Sequence, residues 1–443
     1  MKYIKSQYLL LFLILGCTHS ISNTSIDPEK TNNTIDISVT SSPTPPEPTP
    51  TKDIYKESFE SCPGYSYKIN GSMNPIWSDN NKIFFQDYNI SYIMHGGMQC
   101  GDYSGGNYMF KNIFSMNTDG NDKINLIDNI EEYSNNSFIF YNNKLIYYPS
   151  YKDNRDRKLS YFDLKTQEKG LFYPELGKFG DPLFTTDSNI FYAYSRSKKP
   201  ENTYISMFNT KDNSKINIYR FPNDKNVKTS KLILSPEGKI TFTTNNILKL
   251  PYPNKKLSKV EISMINPITK EKVDLFTKEQ NNYMYIGDFK WSPDGKKLGF
   301  ILNTLVKDTY TDGEAKYTSE LYIIEKGQNN KILLLDNYQN TYFNWSPNSK
   351  KIVLSRAFFR ENPNVSYSDI YSIDVDNGNL TQLTNSKESK YFIGNSNPSY
   401  SPDGSKILFI SNRASNFSKI KAYFGVQDIY IMDSNGQNQK RLT

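Results

Sequence analysis

The chain opens with an unbroken apolar run, Tyr8 to Leu15, behind Lys2 and Lys5, and no later segment matches it in length and apolarity. About eight residues make a helix of about 12 Å, while a bilayer core needs about 20 residues, so the run is too short to span a membrane. Basic, then apolar, then small residues at Gly16 and Cys17 is the order of an export signal. Residues 18–52 are rich in Ser, Thr, Asn and Pro, with Pro43, Pro45, Pro46, Pro48 and Pro50 close together. Such a stretch has too little apolar surface to bury and is expected to be a disordered tether. Beyond it, short apolar segments alternate with polar positions between clusters of Gly, Pro, Asn and Asp, which predicts strands and no helices.

The strands recur in a unit. Trp291-Ser292-Pro293-Asp294-Gly295-Lys296, Trp345-Ser346-Pro347-Asn348-Ser349-Lys350 and Tyr400-Ser401-Pro402-Asp403-Gly404-Ser405 follow one another at intervals of about 55 residues. Leu234-Ser235-Pro236-Glu237-Gly238 and Trp77-Ser78-Asp79-Asn80-Asn81 are weaker copies, and the segments at Phe140–Tyr147 and Thr185–Tyr192 are degenerate ones, making seven. Proline fixes φ at the second position of a tight turn, Asp or Asn suits the third, and Gly supplies the left-handed residue that ends it. A second segment follows in each clear unit, as in Glu320–Glu325, Asp369–Asp374 and Asp428–Asp433, and a closing strand such as Leu380–Thr384 or Gln439–Thr443 comes after it. Four short antiparallel strands per unit are the signature of a propeller blade.

Together, the Trp-Ser-Pro-Asp-Gly-Lys hairpin, the Asp-Ile-Tyr-Ile-Met-Asp strand and the terminal Arg-Leu-Thr resemble the repeat of the TolB family, a WD40-like repeat of the PD40 type. The resemblance covers nearly all of residues 60–443, strongly from about 285 onward and faintly between 130 and 225. It implies an all-β fold: a single β-propeller of four-stranded antiparallel blades, seven by the count of units, with six or eight as alternatives. TolB itself has six blades and a separate α/β domain before them, a departure that puts its particular partner in doubt here. Segment Tyr65–Ile69 either closes the ring or extends the first blade. Leu13-Ile14-Leu15-Gly16-Cys17 resembles the lipobox of bacterial lipoproteins, and that resemblance makes Cys17 the lipid attachment site. The expected organisation is a signal over 1–16, lipidated Cys17 and tether over 17–52, and the propeller over 53–443.

Composition narrows the chemistry. With Cys17 lipidated, Cys62 and Cys100 are the other two of three cysteines, and an exported chain is expected to pair them. A formal charge of +7 spread over 443 residues is mild and unclustered, against a nucleic-acid partner. The two histidines, His19 and His95, cannot assemble a multi-histidine metal site or a set of His-based relays, and no G-x-S-x-G elbow occurs in a strand-to-helix context. The Asp- and Gly-rich turns at Asn117–Asp122, Asp374–Gly378 and Asp433–Gly436 lack the full calcium-loop pattern and read as turn chemistry. Trp77, Trp291 and Trp345 hold a fixed place in the repeat and read as blade packing.

No metal or cofactor is therefore expected. The candidates for a binding rim are the residues four before each motif serine: Asn74, Lys231, Asp288, Tyr342 and Asn397. Long insertions, Asp87–Lys111, Val306–Ser319, Ala357–Ser368 and Ala414–Gln427, add loops that rigid scaffolds commonly use for recognition. The expected function is a monomeric, membrane-anchored envelope lipoprotein, at the periplasm or the cell exterior, that binds a protein or an envelope polymer without catalysis. The alternatives are a hydrolase or lyase with a His-free carboxylate, Tyr and Arg site, and a structural spacer in an envelope assembly.

Overall fold

The structure, a computed structural model, describes residues 40–41 and, from 66 to 443, all but 95–102, 129–137, 148–158, 174–181, 186–189, 195–202, 222–226, 250–255, 308–315, 328–330, 339–341, 360–365, 388–392 and 414–426. Cys17, Cys62, Cys100 and His95 lie outside the described residues, as do the signal and all of the tether except Thr40–Ser41. Those two residues run parallel to Thr381–Gln382 at an outer sheet edge.

Seven antiparallel sheets follow in chain order, each of four strands paired first to second to third to fourth. Blade 1 is Ser66–Trp77, Ile83–Met94, Tyr103–Met116 and Ile124–Ile127, and blade 2 is Phe138–Tyr141, Lys144–Tyr147, Leu159–Asp163 and Lys169–Tyr173. Blade 3 comprises Leu183–Phe184, Ile190–Tyr194, Tyr204–Asn209 and Lys215–Arg220; blade 4 comprises Val227–Leu234, Ile240–Lys249, Lys256–Ile265 and Lys272–Gln280. Blade 5 runs through Met284–Trp291, Lys297–Lys307, Lys316–Glu325 and Lys331–Tyr338, and blade 6 through Phe343–Trp345, Lys351–Phe359, Ser366–Asp374 and Leu380–Gln382. Blade 7 is Asn395–Tyr400, Lys406–Ser411, Asp428–Asp433 and Lys440–Arg441.

The alternation of each strand sends one apolar row to each neighbouring blade. In blade 7, Tyr430 and Met432 pack with Val353 and Ile370 of blade 6, while Ile429 and Ile431 pack with Ile83 and Phe85 of blade 1. Every adjacent pair of blades shares a buried cluster of this kind, including the last with the first, so the ring closes by packing. All four strands of blade 7 come from the C-terminal end of the chain, and Ser66–Ile69 lengthens the first strand of blade 1, pairing with Ile90–Ile93.

The motif turn works as read, with one addition. In blade 5 the Gly295 N–H donates to the Ser292 carbonyl (2.8 Å), the Ser292 hydroxyl donates to Asp294 Oδ1 (2.6 Å), and the Lys297 N–H donates to the same hydroxyl oxygen (2.9 Å). The serine thus locks the turn to the strand that leaves it. Left-handed φ falls on Gly238, Gly295 and Gly404, on Ser349 where the motif has no Gly, and on Asn81. Ser349 tolerates this position while its hydroxyl accepts the Asp294 N–H of the neighbouring blade (3.0 Å). In the degenerate unit of blade 2, Asn142 and Asn143 both have positive φ, as a two-residue hairpin of the I′ type demands.

One expectation needs correction. The segment Asp87–Lys111 is not simply an inserted loop: Asp87–Met94 pairs back onto Tyr103–Asn112, making a tall hairpin that continues blade 1. Gly105, Gly106 and scattered Asn residues hide its alternation in the sequence.

Candidate functional site

The first strand of each blade lies innermost in a propeller, and in four blades it carries a bulge near the motif turn. Pairing skips from Met73 to Ile76, Thr229 to Leu232, Ile286 to Phe289 and Ser396 to Ser399. Each skip contains one residue predicted for the rim: Asn74, Lys231, Asp288 or Asn397. A bulge re-aims the extra side chain and breaks the ladder locally. Asn74 and Asn397, each followed by proline, take left-handed φ there. Tyr342 occupies the equivalent place, just before the first strand of blade 6, and is 53% exposed.

The structure joins two of the five. Lys231 Nζ donates to Asp288 Oδ1 at 3.1 Å, and the second carboxylate oxygen of Asp288, buried, ion-pairs with Lys290 at 3.0 Å. Asn74 turns instead to Gln86 of its own blade (3.1 Å), and Asn397 and Tyr342 face solvent. Lys290 and Asn344, two before the motif serines, are not singled out by the sequence, yet they extend the Asp288 contact across the ring. Lys290 donates to Asn344 Oδ1 (2.8 Å) and to the Phe343 carbonyl, and Asn344 Nδ2 donates to the Pro398 carbonyl of blade 7 (2.7 Å). Burial lowers the affinity of Lys290 for its proton, and the Asp288 carboxylate opposes that shift.

The motif tryptophans bridge consecutive blades. Trp291 Nε1–H donates to Thr241 Oγ1 (2.9 Å), Trp345 to the Lys290 carbonyl (3.1 Å) and Trp77, across the ring closure, to the Ser399 carbonyl (3.3 Å).

A second polar cluster lies where blades 6 and 7 meet. Buried Asp369 accepts from the hydroxyls of Thr384 and Ser386 (both 2.8 Å), from the Ser386 N–H (3.1 Å) and from Asn395 Nδ2 (3.2 Å). Burial raises its pKa, against the lowering effect of those donors. Arg413 donates to Asn395 Oδ1 (2.8 Å) and Gln439 Oε1 (2.7 Å) with its guanidinium over the Tyr430 ring. Asp428 pairs with Arg441 at 3.0 Å, and burial pushes its pKa up to about 6. Both carboxylates are held by neighbours, Asp369 by donors that include Asn395 of blade 7 and Asp428 by Arg441 of its own blade. The acidic turns are likewise occupied: Asp374 Oδ1 accepts the N–H groups of Asp376 and Asn377 (3.1 and 3.3 Å), and Asp119 accepts that of Asn121 (3.0 Å).

Seven four-stranded blades whose packing closes the ring decide the fold. The chain is a seven-bladed β-propeller. No family model matches it. Among solved structures, an oligogalacturonate lyase in complex with manganese is 13% identical, with a TM-score of 0.52 over 84% of this chain and 96% of the lyase. A prolyl endopeptidase is 11% identical with a TM-score of 0.52 over 84% of this chain, which spans 49% of that enzyme. TolB from Acinetobacter baumannii is 14% identical, with a TM-score of 0.37 over 76% of each chain. At such identities the likeness shows the propeller fold alone.

Proposed function

We propose that this propeller is a non-enzymatic binding module, held to a bacterial envelope membrane by a lipid on Cys17 and set off from it by the tether at 17–52. The observation that carries this reading is the commitment of the central charges to one another. Asp288 is shared between two lysines, and Asp369 is covered by hydroxyl and amide donors, so these two carboxylates act as braces for the ring. A general acid or base must instead reach a reacting group. Asn397 and Tyr342, by contrast, stand exposed on rigid bulge or strand-entry positions, the kind of surface a partner protein or an envelope polymer contacts.

A photo-crosslinking residue placed at Tyr342 or Asn397 in intact cells tests this. The same adduct is expected from both positions and none from Ile216, which is exposed on the outer strand of blade 3. Equal labelling from all three, or none, would favour the spacer reading. Cys17→Ala is expected to move the chain into the soluble fraction; retention on membranes in high salt would sink the anchor assignment.

A further inference from the structure

Where blades 5 and 6 face each other, the core stops short of the end at which the second and third strands are joined. Ile301 and Leu321 of blade 5 pack there with Phe343 and Leu354 of blade 6. Cross-strand partners and residues two apart share a face, so the same face continues through Asn303, which pairs with Ser319 and Tyr285, to Leu305, which pairs with Tyr317. Tyr283 follows Tyr285 on that side. The three tyrosines form one partly exposed group, with ring centroids 6.0, 6.4 and 5.7 Å apart. Their hydroxyls have no hydrogen-bond partner among the described residues. Burial raises the phenol pKa of Tyr283 and Tyr285, with Tyr317 adding to it. Beside them Asn303 is 1% exposed: its Oδ1 accepts from Ser319 (2.5 Å), while its Nδ2 has no partner. An unpaired buried donor is costly unless something occupies it.

The facing wall of blade 6 continues Leu354 through Arg356 to Phe358, which packs on the same core. Counted from the motif serines, Phe358 stands level with Thr304, and so opposite the tyrosines. It stacks on Tyr367 at 5.0 Å, and the Arg356 guanidinium lies 5.0 Å from its ring centroid. Arg356 is directly across from Asp369 in the register, yet the Asp369 oxygens are taken by Thr384, Ser386 and Asn395. The guanidinium therefore has no hydrogen bond or ion pair among the described residues.

We propose that this junction between blades 5 and 6 binds a saccharide bearing a carboxylate, with aromatic faces against the sugar ring, phenol and Asn303 groups on its hydroxyls, and Arg356 on the acid. A sugar offers both donors and acceptors to hydroxyls that can do either, beside an apolar C–H face for the rings. Arg pairs with a planar carboxylate in two-point fashion. A proline-rich peptide would also stack on tyrosine but offers only acceptors.

The proposal rests on the binding-module reading and names its ligand class. Calorimetry on the full-length chain in detergent would compare a hyaluronan tetrasaccharide, which alternates glucuronate with N-acetylglucosamine, with uncharged chitotetraose. The acidic sugar is expected to bind about tenfold tighter, Arg356→Gln to abolish that preference, and Tyr285→Ala to weaken both by about tenfold. Equal binding of the two sugars, binding of neither, an unchanged preference in Arg356→Gln, or tighter binding of a proline-rich peptide would overturn it. Circular dichroism melts of each variant guard against misfolding. If the sugars fail while crosslinks from Tyr342 and Asn397 persist, the ligand class falls and the binding-module reading stands.

Discussion

The ring is held in two different ways. Between blades 2 and 3 the junction is aromatic: Phe191 stacks on Phe208 at 4.9 Å, Tyr173 meets both edge-on at 5.3 Å, and Phe172 and Phe184 approach from the other side. From blade 4 round to blade 7 the apolar clusters remain, but charges, amides and tryptophan N–H groups cross the junctions as well. The clear copies of the motif lie where charged side chains and tryptophans bridge the blades; at the degenerate copies the bridges are aromatic rings and tyrosine hydroxyls, Tyr141 on the Thr185 carbonyl and Tyr173 on the Asn213 carbonyl (3.4 Å). A propeller therefore does not need its signature turn in every blade. It needs each junction filled and each turn closed, and large rings can supply the filling while an Asn-Asn pair closes the turn.

The contrast is broken most directly at the aromatic junction. Phe191 is fully buried and touches the rings on both sides of the stack. Phe191→Ala should cost about 4 kcal/mol, the loss of a large core ring plus the cavity it leaves. Urea titration followed by circular dichroism measures this. A cost below about 1 kcal/mol would mean that the site collapses freely and that the stack is not what joins these blades.

That junction was also the hardest to read from sequence. Stacking between Phe191 and Phe208 involves no turn residue and no fixed spacing, only the meeting of two strands of one sheet against a neighbour. Ring closure was hidden for a related reason, since Ile83 and Phe85 meet Leu408 and Ile429 across nearly the whole chain. The blades from 4 onward are legible because Ser-Pro and the two turn residues after it write their turn locally. The rim candidates share one offset, and the bulges show that this offset has a structural meaning, but a contact such as Lys290 to Asn344 depends on blade packing. The tall hairpin of blade 1 looks like an insertion in the sequence because Gly105 and Gly106 interrupt its period.

A polar blade should titrate where an aromatic junction does not, which gives the second test. The Asp428 carboxyl ionises at about 6 in the fold, against about 3.9 in an unfolded chain. The protonated form is the one the fold favours. Its contribution is therefore complete below pH 4, declines as the pH rises through 6, and is absent above. Against Asp428→Asn, the native chain should lose about 2 kcal/mol between pH 4 and pH 7. Asp294, Asp403 and Asp433, whose pKa values are lowered, trend the other way, but both chains contain them and the difference cancels. Parallel stability curves for the two proteins would show that the buried Asp428–Arg441 pair of blade 7 adds no pH-dependent contribution to the packing around it.

The smallest effect belongs to the rim, where the two lysines on Asp288 should prove unequal. The side chain of Lys231 is 51% exposed, so Lys231→Ala removes an ion pair that water largely replaces, and a change within about 0.5 kcal/mol is expected. Asp288→Ala leaves Lys290 as a mostly buried cation whose proton burial already disfavours. Because Lys290 keeps Asn344 and the Phe343 carbonyl, the cost should be about 2 kcal/mol, below that of a fully stranded charge. Thermal unfolding of both variants measures the ratio. Equal losses would mean that Asp288 serves the exposed lysine as much as the inner one, and the chain of contacts from blade 4 to blade 7 would then be a surface feature with little part in holding the ring.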